Sequence, residues 1–163
     1  MGAPFAVLVA EELFASGCQF LINITSAGQI RPAGAPPYFV IIDRALRDEG
    51  TSYHYAEPAE FSRADAVLVR GAATALEASG LRVVVGSSWT TDAPFRETAK
   101  AIEAARARGI LAVEMEAAAL YAFAKAKGVR VLCIAHVTNT MGLADQDFEK
   151  LKLLETVAAT LTS

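Results

Sequence analysis

At 163 residues the chain suits one domain, which at that length buries about two-thirds of its unfolded surface. Hydrophobic residues make up 53% of it and mean hydropathy is +0.33, yet no apolar run reaches the ~18–20 residues of a bilayer-spanning helix, so no membrane partner is expected. The net charge of −3, from 15 basic and 18 acidic residues of interspersed sign, argues against a nucleic-acid surface.

In chain order, residues 3–16 place Ala3, Ala6, Val7, Ala10, Leu13 and Phe14 at helical spacing, with Glu11 and Glu12 opposite and Gly17 as the stop. The same stretch has no basic n-region and is not read as a signal peptide. Cys18 and Cys133 lie in apolar contexts at no metal-ligand spacing, which suits reduced, packed thiols of a cytoplasmic protein.

Residues 19–24 read as a buried strand that stops at a small-residue turn, Thr25-Ser26-Ala27-Gly28. A Pro/Gly-rich loop leads to a second strand at 38–43, and residues 44–61, without a clean period, read as a long structured loop. Ser62 followed by Asp65 resembles a capping box, and the next helix sets Val67, Leu68, Ala72, Ala75 and Leu76 on one side before Gly80. Residues 82–86 form a strand; a loop from Ser87 to Asp92 precedes a helix with Pro94 in its first turn.

A further helix starts near Glu114, with Ala117, Leu120, Tyr121 and Ala124 on one face and Gly128 past its end. Residues 129–137 are almost uniformly apolar, as in a central strand covered on both faces, and a closing helix spans about 146–161. Strands alternating with amphipathic helices predict an α/β fold, a three-layer αβα arrangement around a largely parallel or mixed sheet. Ligands bind such sheets beyond the carboxyl ends of the strands, which directs attention to 25–28, 87–92 and 138–141.

Glu114 and Glu116, two residues apart at the mouth of an alanine-rich helix, admit two readings. Acidic side chains favour a helix's first turn by ~0.3–1 kcal/mol each. A carboxylate with two acceptor oxygens also suits the vicinal hydroxyls of a sugar. His54, between two tyrosines, reads as a structural hydrogen-bonder or a site-lining group, and His136 as a core histidine. Trp89 either stacks on a base or fills space, Asp92 reads as a helix cap, and Arg96 reaches a base or phosphate or is a solvated charge. Ser26, at a strand end among small residues, suits anion or sugar binding.

Val113-Glu114-Met115-Glu116-Ala117-Ala118-Ala119-Leu120 resembles the V-E-M-E-A/S-x-A/T-L/I signature of the nucleoside phosphorylase family, which includes uridine phosphorylase, hexameric-type purine nucleoside phosphorylase and the methylthioadenosine/adenosylhomocysteine nucleosidases. Other landmarks follow in order. Met1-Gly2-Ala3-Pro4 to Glu11-Glu12-Leu13 is similar to the family's G-x-P and E-E-L helix, and Asn23-Ile24-Thr25-Ser26-Ala27-Gly28 lies where phosphorylases have R-x-G-T/S-x-G. Arg47 to Tyr55 resembles R-x-D/E-G-x-S-x-H-F/Y, Ser88 to Asp92 with Phe95-Arg96-Glu97 lies where the base pocket is built, and Val137-Thr138-Asn139 ends the last strand.

The resemblance implies cleavage of a nucleoside's N-glycosidic bond, with phosphate as co-substrate and no metal or organic cofactor. Carried over, Glu116 binds the ribose hydroxyls, Met115 packs on the sugar, and Asn139 serves the leaving base. Trp89, Thr90, Arg96 and His54 line the substrate site, Ser26 aids phosphate binding, and Glu114 supports the structure. It also implies a cytoplasmic homo-oligomer. Two departures stand out. The chain begins at the helix that follows the family's N-terminal phosphate-binding segment, so either a fragment or a short form that has lost part of the site is expected, the latter also suiting a catalytically inactive nucleoside-binding homologue. Asn23 replaces the phosphate-binding Arg, whose bidentate fork an amide cannot supply. The N-x-x-S-A-G run is similar to the N-T-G-S-A-G of the nucleosidases, which use water; those enzymes carry a general-acid Asp where this chain has Asn139.

Overall fold

The structure, a computed structural model, describes residues 2–140 and 157–161, the last two residues before the gap by backbone alone. Met1, the 141 end of the third expected ligand region and most of the expected 146–161 helix lie outside the described residues.

Helix α1 (Ala3–Ala15) has Pro4 in its first turn, where a missing N–H costs nothing. Strands β1 (Leu21–Gln29) and β2 (Tyr38–Asp48) follow, then one 3-10 turn at Thr51–His54 and a short β3 (Phe61–Arg63). Helix α2 (Ala66–Ala78) is capped by Asp65, whose carboxylate accepts from Val67 N–H at 2.6 Å. Then come β4 (Val83–Thr91), a 3-10 turn at Pro94–Arg96, α3 (Ala99–Ala107), β5 (Ala112–Glu114), α4 (Ala117–Lys127) and β6 (Val131–Thr140). Gly128, at φ 66°, closes α4 in the left-handed conformation glycine adopts without strain.

The sheet order is β3-β2-β4-β5-β1-β6, and β6 pairs with β2 as well, so five strands close a ring with β3 outside it. Pairing is mixed: β1–β6, β2–β4 and β4–β5 are parallel, while β1–β5, β2–β6 and β2–β3 are antiparallel. Alternation along β2 sends Val40 and Ile42 into a cluster with α1 and α4, and Phe39 and Ile41 into another with α2 and Val157. A third cluster, Ile30, Trp89, Ala105, Ile110 and Val113, lies under α3. β6 is buried from Val131 to Val137, as its uniform apolarity predicts.

Three strands run further than their apolar cores. Thr25–Gly28 continues β1 in register with β6 instead of turning, and a bulge between Ala27 and Gly28 shifts the pairing so that Gly28 meets Asn139. β2 runs on through a bulge at Asp43 and pairs with β3 and β4, so residues 44–48 are strand and not loop. Ser87–Thr91 is likewise strand: Ser88 and Thr90 are polar yet fully buried because they donate to Glu114 across the ladder. Polar residues with partners inside the fold break the apolar pattern that marks a strand in sequence.

Smaller differences have similar causes. Ser62 is a β3 residue and the cap belongs to Asp65 alone; Val67 is 66% exposed, and α2 buries Val69, Ala72 and Leu76. Asp92 caps no helix but accepts from Gly50 N–H at 2.9 Å, and α3 is capped by Thr98.

Tyr121 ties α4 to the closure of the ring. The β2–β6 ladder ends at Ile41 opposite Ile134. At the next step the strands part, and the Tyr121 hydroxyl enters between them, donating to Ile42 C=O at 2.6 Å and accepting from Cys133 N–H at 3.0 Å. Burial pushes its pKa well above the ordinary value, so it remains a donor.

Candidate active site

The β5–α4 junction brings two carboxylates close with opposite surroundings. Glu114 is buried, and each of its oxygens is spoken for. Oε1 accepts from the Ser88 hydroxyl at 2.9 Å and from the Thr90 hydroxyl; Oε2 accepts from the N–H groups of Glu116 at 2.7 Å and Ala117 at 2.8 Å. Thr90 in turn accepts from Ala118 N–H at 3.0 Å. Glu114 thus supplies acceptors to the free N–H groups at the buried start of α4 and stitches it to β4, with the negative charge where the helix dipole favours it. Burial still dominates and pushes its pKa up, against the hydrogen bonds from Thr90, Ala117 and Glu116.

Glu116 occupies the cap position of α4 and is 6% exposed, but its side chain turns away from the helix. Oε1 accepts from Gly2 N–H at 3.0 Å and Oε2 from the Thr25 hydroxyl at 2.9 Å, with a longer contact from Met115 N–H at 3.4 Å. Burial pushes this pKa up, but the hydrogen bonds from Gly2 N–H, the N-terminal ammonium and the Thr25 hydroxyl, together with the ammonium's charge, outweigh it and leave the carboxylate more acidic than usual. Met115 is half-buried, its terminal methyl next to Gly2: a Cβ added at Gly2 would stand 3.7 Å from it. The start of α1, the middle of β1 and the start of α4 therefore converge on Met115 and Glu116.

The other expected site residues are dispersed. Ser26 is exposed, and as the neighbour of Thr25 in a strand it projects from the opposite face, away from Glu116. Thr90 is engaged with Glu114 in the interior. Trp89 is 5% exposed in the cluster under α3 and donates its indole N–H to Asp48 at 2.9 Å, the geometry of the space-filling reading. Arg96 is exposed on the Pro94–Arg96 turn. His54 is exposed and lines a cleft of about 550 Å³ with Pro4, Glu11, Tyr55 and Asp92, to which Glu116 does not contribute. Asn139 pairs with Gly28 by its backbone; its side chain lies outside the described residues.

The phosphorylase superfamily model matches residues 1–162. The chain belongs to that superfamily. It is 28% identical to a uridine phosphorylase of Thermococcus kodakarensis over 96% of its own length and 63% of the relative's. It is 30% identical to a DeoD-type purine nucleoside phosphorylase of Tolumonas auensis over 90% of the chain and 63% of the relative, and 26% identical to a guanosine phosphorylase of Halorubrum lacusprofundi over 90% and 61%. This phosphorylase-superfamily chain spans about three-fifths of the length of the curated relatives it matches.

Two groups at the junction carry no signal in spacing: Gly2 and Thr25 reach Glu116 from 114 and 91 residues away. The one hint at Thr25 is that it stands where the quoted motif has glycine. Arg47 was legible only as part of a loop motif; it is buried and holds that loop, donating to the Ser52 hydroxyl at 2.8 Å and to Glu57 C=O at 2.7 Å while stacking over Tyr53.

Proposed function

We propose that the chain is a nucleoside phosphorylase that cleaves the N-glycosidic bond of a purine or pyrimidine nucleoside with phosphate. The observation that carries this reading is the Glu116 carboxylate, aimed off the helix beside Met115 at the β5–α4 junction of a phosphorylase-superfamily chain. An anionic oxygen pair accepts from two adjacent sugar hydroxyls, and Met115 offers the sugar an apolar surface. The names of the relatives, which act on uridine, purine nucleosides and guanosine, support the substrate class. The C–N bond breaks toward an oxocarbenium-like sugar, the base leaves with the bonding pair, and a phosphate oxygen attacks the anomeric carbon. Asn139 hydrogen-bonds the leaving base. Catalysis here is mostly positioning and electrostatic stabilisation, with phosphate as the only co-reactant.

Ser26, Trp89, Thr90, Arg96 and His54 do not converge on Glu116 and stand outside the proposed site, while the helices on the two sides of the ring serve as outer layers of an αβα arrangement. A homo-oligomer is supported by the exposed apolar residues Phe5, Leu8, Val9 and Leu13 of α1. A cytoplasmic location is supported by two free thiols, Cys18 and Cys133.

One feature favours water over phosphate as the acceptor. Asn23 is a neutral amide beside Cys133 of the neighbouring strand β6, and it brings no cation. Base release from uridine and inosine, with and without phosphate, separates the two. Release that requires phosphate supports the phosphorylase; equal rates in its absence give the nucleosidase; no release from either removes both.

A further inference from the structure

Glu116 has to present its oxygens in a definite plane, yet the last torsion of a glutamate is broad and roughly two-fold, so rotamer preference leaves that plane loose. Among its donors, two with short contacts hold different oxygens. Gly2 N–H holds Oε1 at 3.0 Å, and the Thr25 hydroxyl holds Oε2 at 2.9 Å. The first is a main-chain group; the second is a side chain that can be altered. Thr25 also lies 3.3 Å from Ser26 C=O, but a hydroxyl has one proton, and the shorter contact to a charged acceptor takes it. Thr25 is well suited to the task. It sits on β1 in register with Ala135 of β6, and a β-branched side chain is stiff about its first torsion, so the hydroxyl points in a set direction.

Resting on the nucleoside reading given above, we propose that Thr25 is a positioning residue that sets the chain's preference for ribose over 2′-deoxyribose by holding Oε2 of Glu116. It does not touch the sugar. Glu114 supports the same geometry from the main-chain side, through its bond to Glu116 N–H. With the Thr25 hydroxyl removed, Oε2 loses its side-chain tether and the carboxylate plane turns. The loss then falls on substrates that offer both hydroxyls and spares those that offer one.

The test compares Thr25→Val, which keeps the shape and deletes the donor, with Thr25→Ser, which keeps the donor. Steady-state kcat/KM is measured with uridine, inosine and their 2′-deoxy counterparts in phosphate buffer. Calorimetric Kd for the same four nucleosides gives a readout that needs no turnover. Thr25→Val is expected to shrink the ribo-to-deoxy ratio by about tenfold, the worth of one charge-assisted hydrogen bond, while the deoxynucleoside constants hold and Thr25→Ser restores most of the ratio. A ratio unchanged in Thr25→Val, whether activity is intact or reduced equally for all four, overturns the proposal and makes Thr25 merely structural. If Thr25→Val does not fold, Thr25→Ala supplies the same ratio. The underlying reading fails separately: Glu116→Ala with undiminished turnover, or wild-type chain that neither binds nor cleaves any of the four, removes the nucleoside site itself.

Discussion

The two sides of the β5–α4 junction use the same functional group for different ends. On the β4 side, Glu114 is enclosed by donors from one strand and the first turn of one helix, all within 26 residues of it in sequence. On the β1 side, Glu116 is gripped by groups from the far end of the chain and projects off the helix it caps. The contrast teaches that two carboxylates two residues apart are held by different parts of the chain, one by its own corner and the other by remote segments. The two pKa directions follow the same division, up for the enclosed group and down for the gripped one.

Glu114→Ala is the most severe way to break this comparison. It strands two hydroxyls and two main-chain N–H groups in the interior, so unfolding free energy should fall by about 3–5 kcal/mol, read by urea denaturation. Glu116→Ala strands one main-chain N–H and one hydroxyl, so it should cost less, about 1–3 kcal/mol, and reduce kcat/KM by about 100-fold, the loss of two hydrogen bonds to a charged acceptor. A variant that unfolds like Glu114→Ala would erase the distinction between the two residues. Tyr121→Phe, one turn further along the same helix, leaves Ile42 C=O and Cys133 N–H unbridged. It should cost about 1–3 kcal/mol with nucleoside affinity unchanged, which would place it with Glu114 as a fastener.

The smallest effect is in pH dependence. Because the folded pKa of Glu116 is lowered, its contribution is complete above the unfolded carboxylate range, about 4.3, and is lost as pH falls through the folded value. Glu116→Gln should therefore flatten the acid limb of the stability curve below about pH 4.3. Glu114 has the opposite sign: its raised pKa contributes stability at low pH that is lost as pH rises through the folded value. The penalty for Glu114→Gln should then be larger in acid than at neutral pH, as thermal unfolding at a series of pH values would register.

Much of the architecture was legible because it is periodic. Most of the inward face of α1, the apolar run of β6 and the glycine that ends α4 were readable in the order of residues, whereas Leu13, grouped with that face by spacing, is 40% exposed. The polar continuations of β1, β2 and β4 were not. Ser88 and Thr90 look like loop residues until Glu114 is placed opposite them, and Asp43 interrupts a strand that resumes past its bulge. Within the candidate site, the motif around Glu116 was visible and the geometry that aims it was not. Ser26 shows the same limit: one step along a strand from Thr25, it faces the other way.

By itself the sequence determined the kinds of elements and the signature at 113–120, since apolar spacing, glycine stops and a contiguous motif are properties of neighbours along the chain. Only the tertiary structure decided which carboxylate is locked into the frame, where Tyr121 closes the ring, and that Gly2 and Thr25 meet at Glu116. Those are contacts between segments tens of residues apart. Hydrogen bonds depend on ångström distances that the closed sheet fixes and that no local pattern encodes.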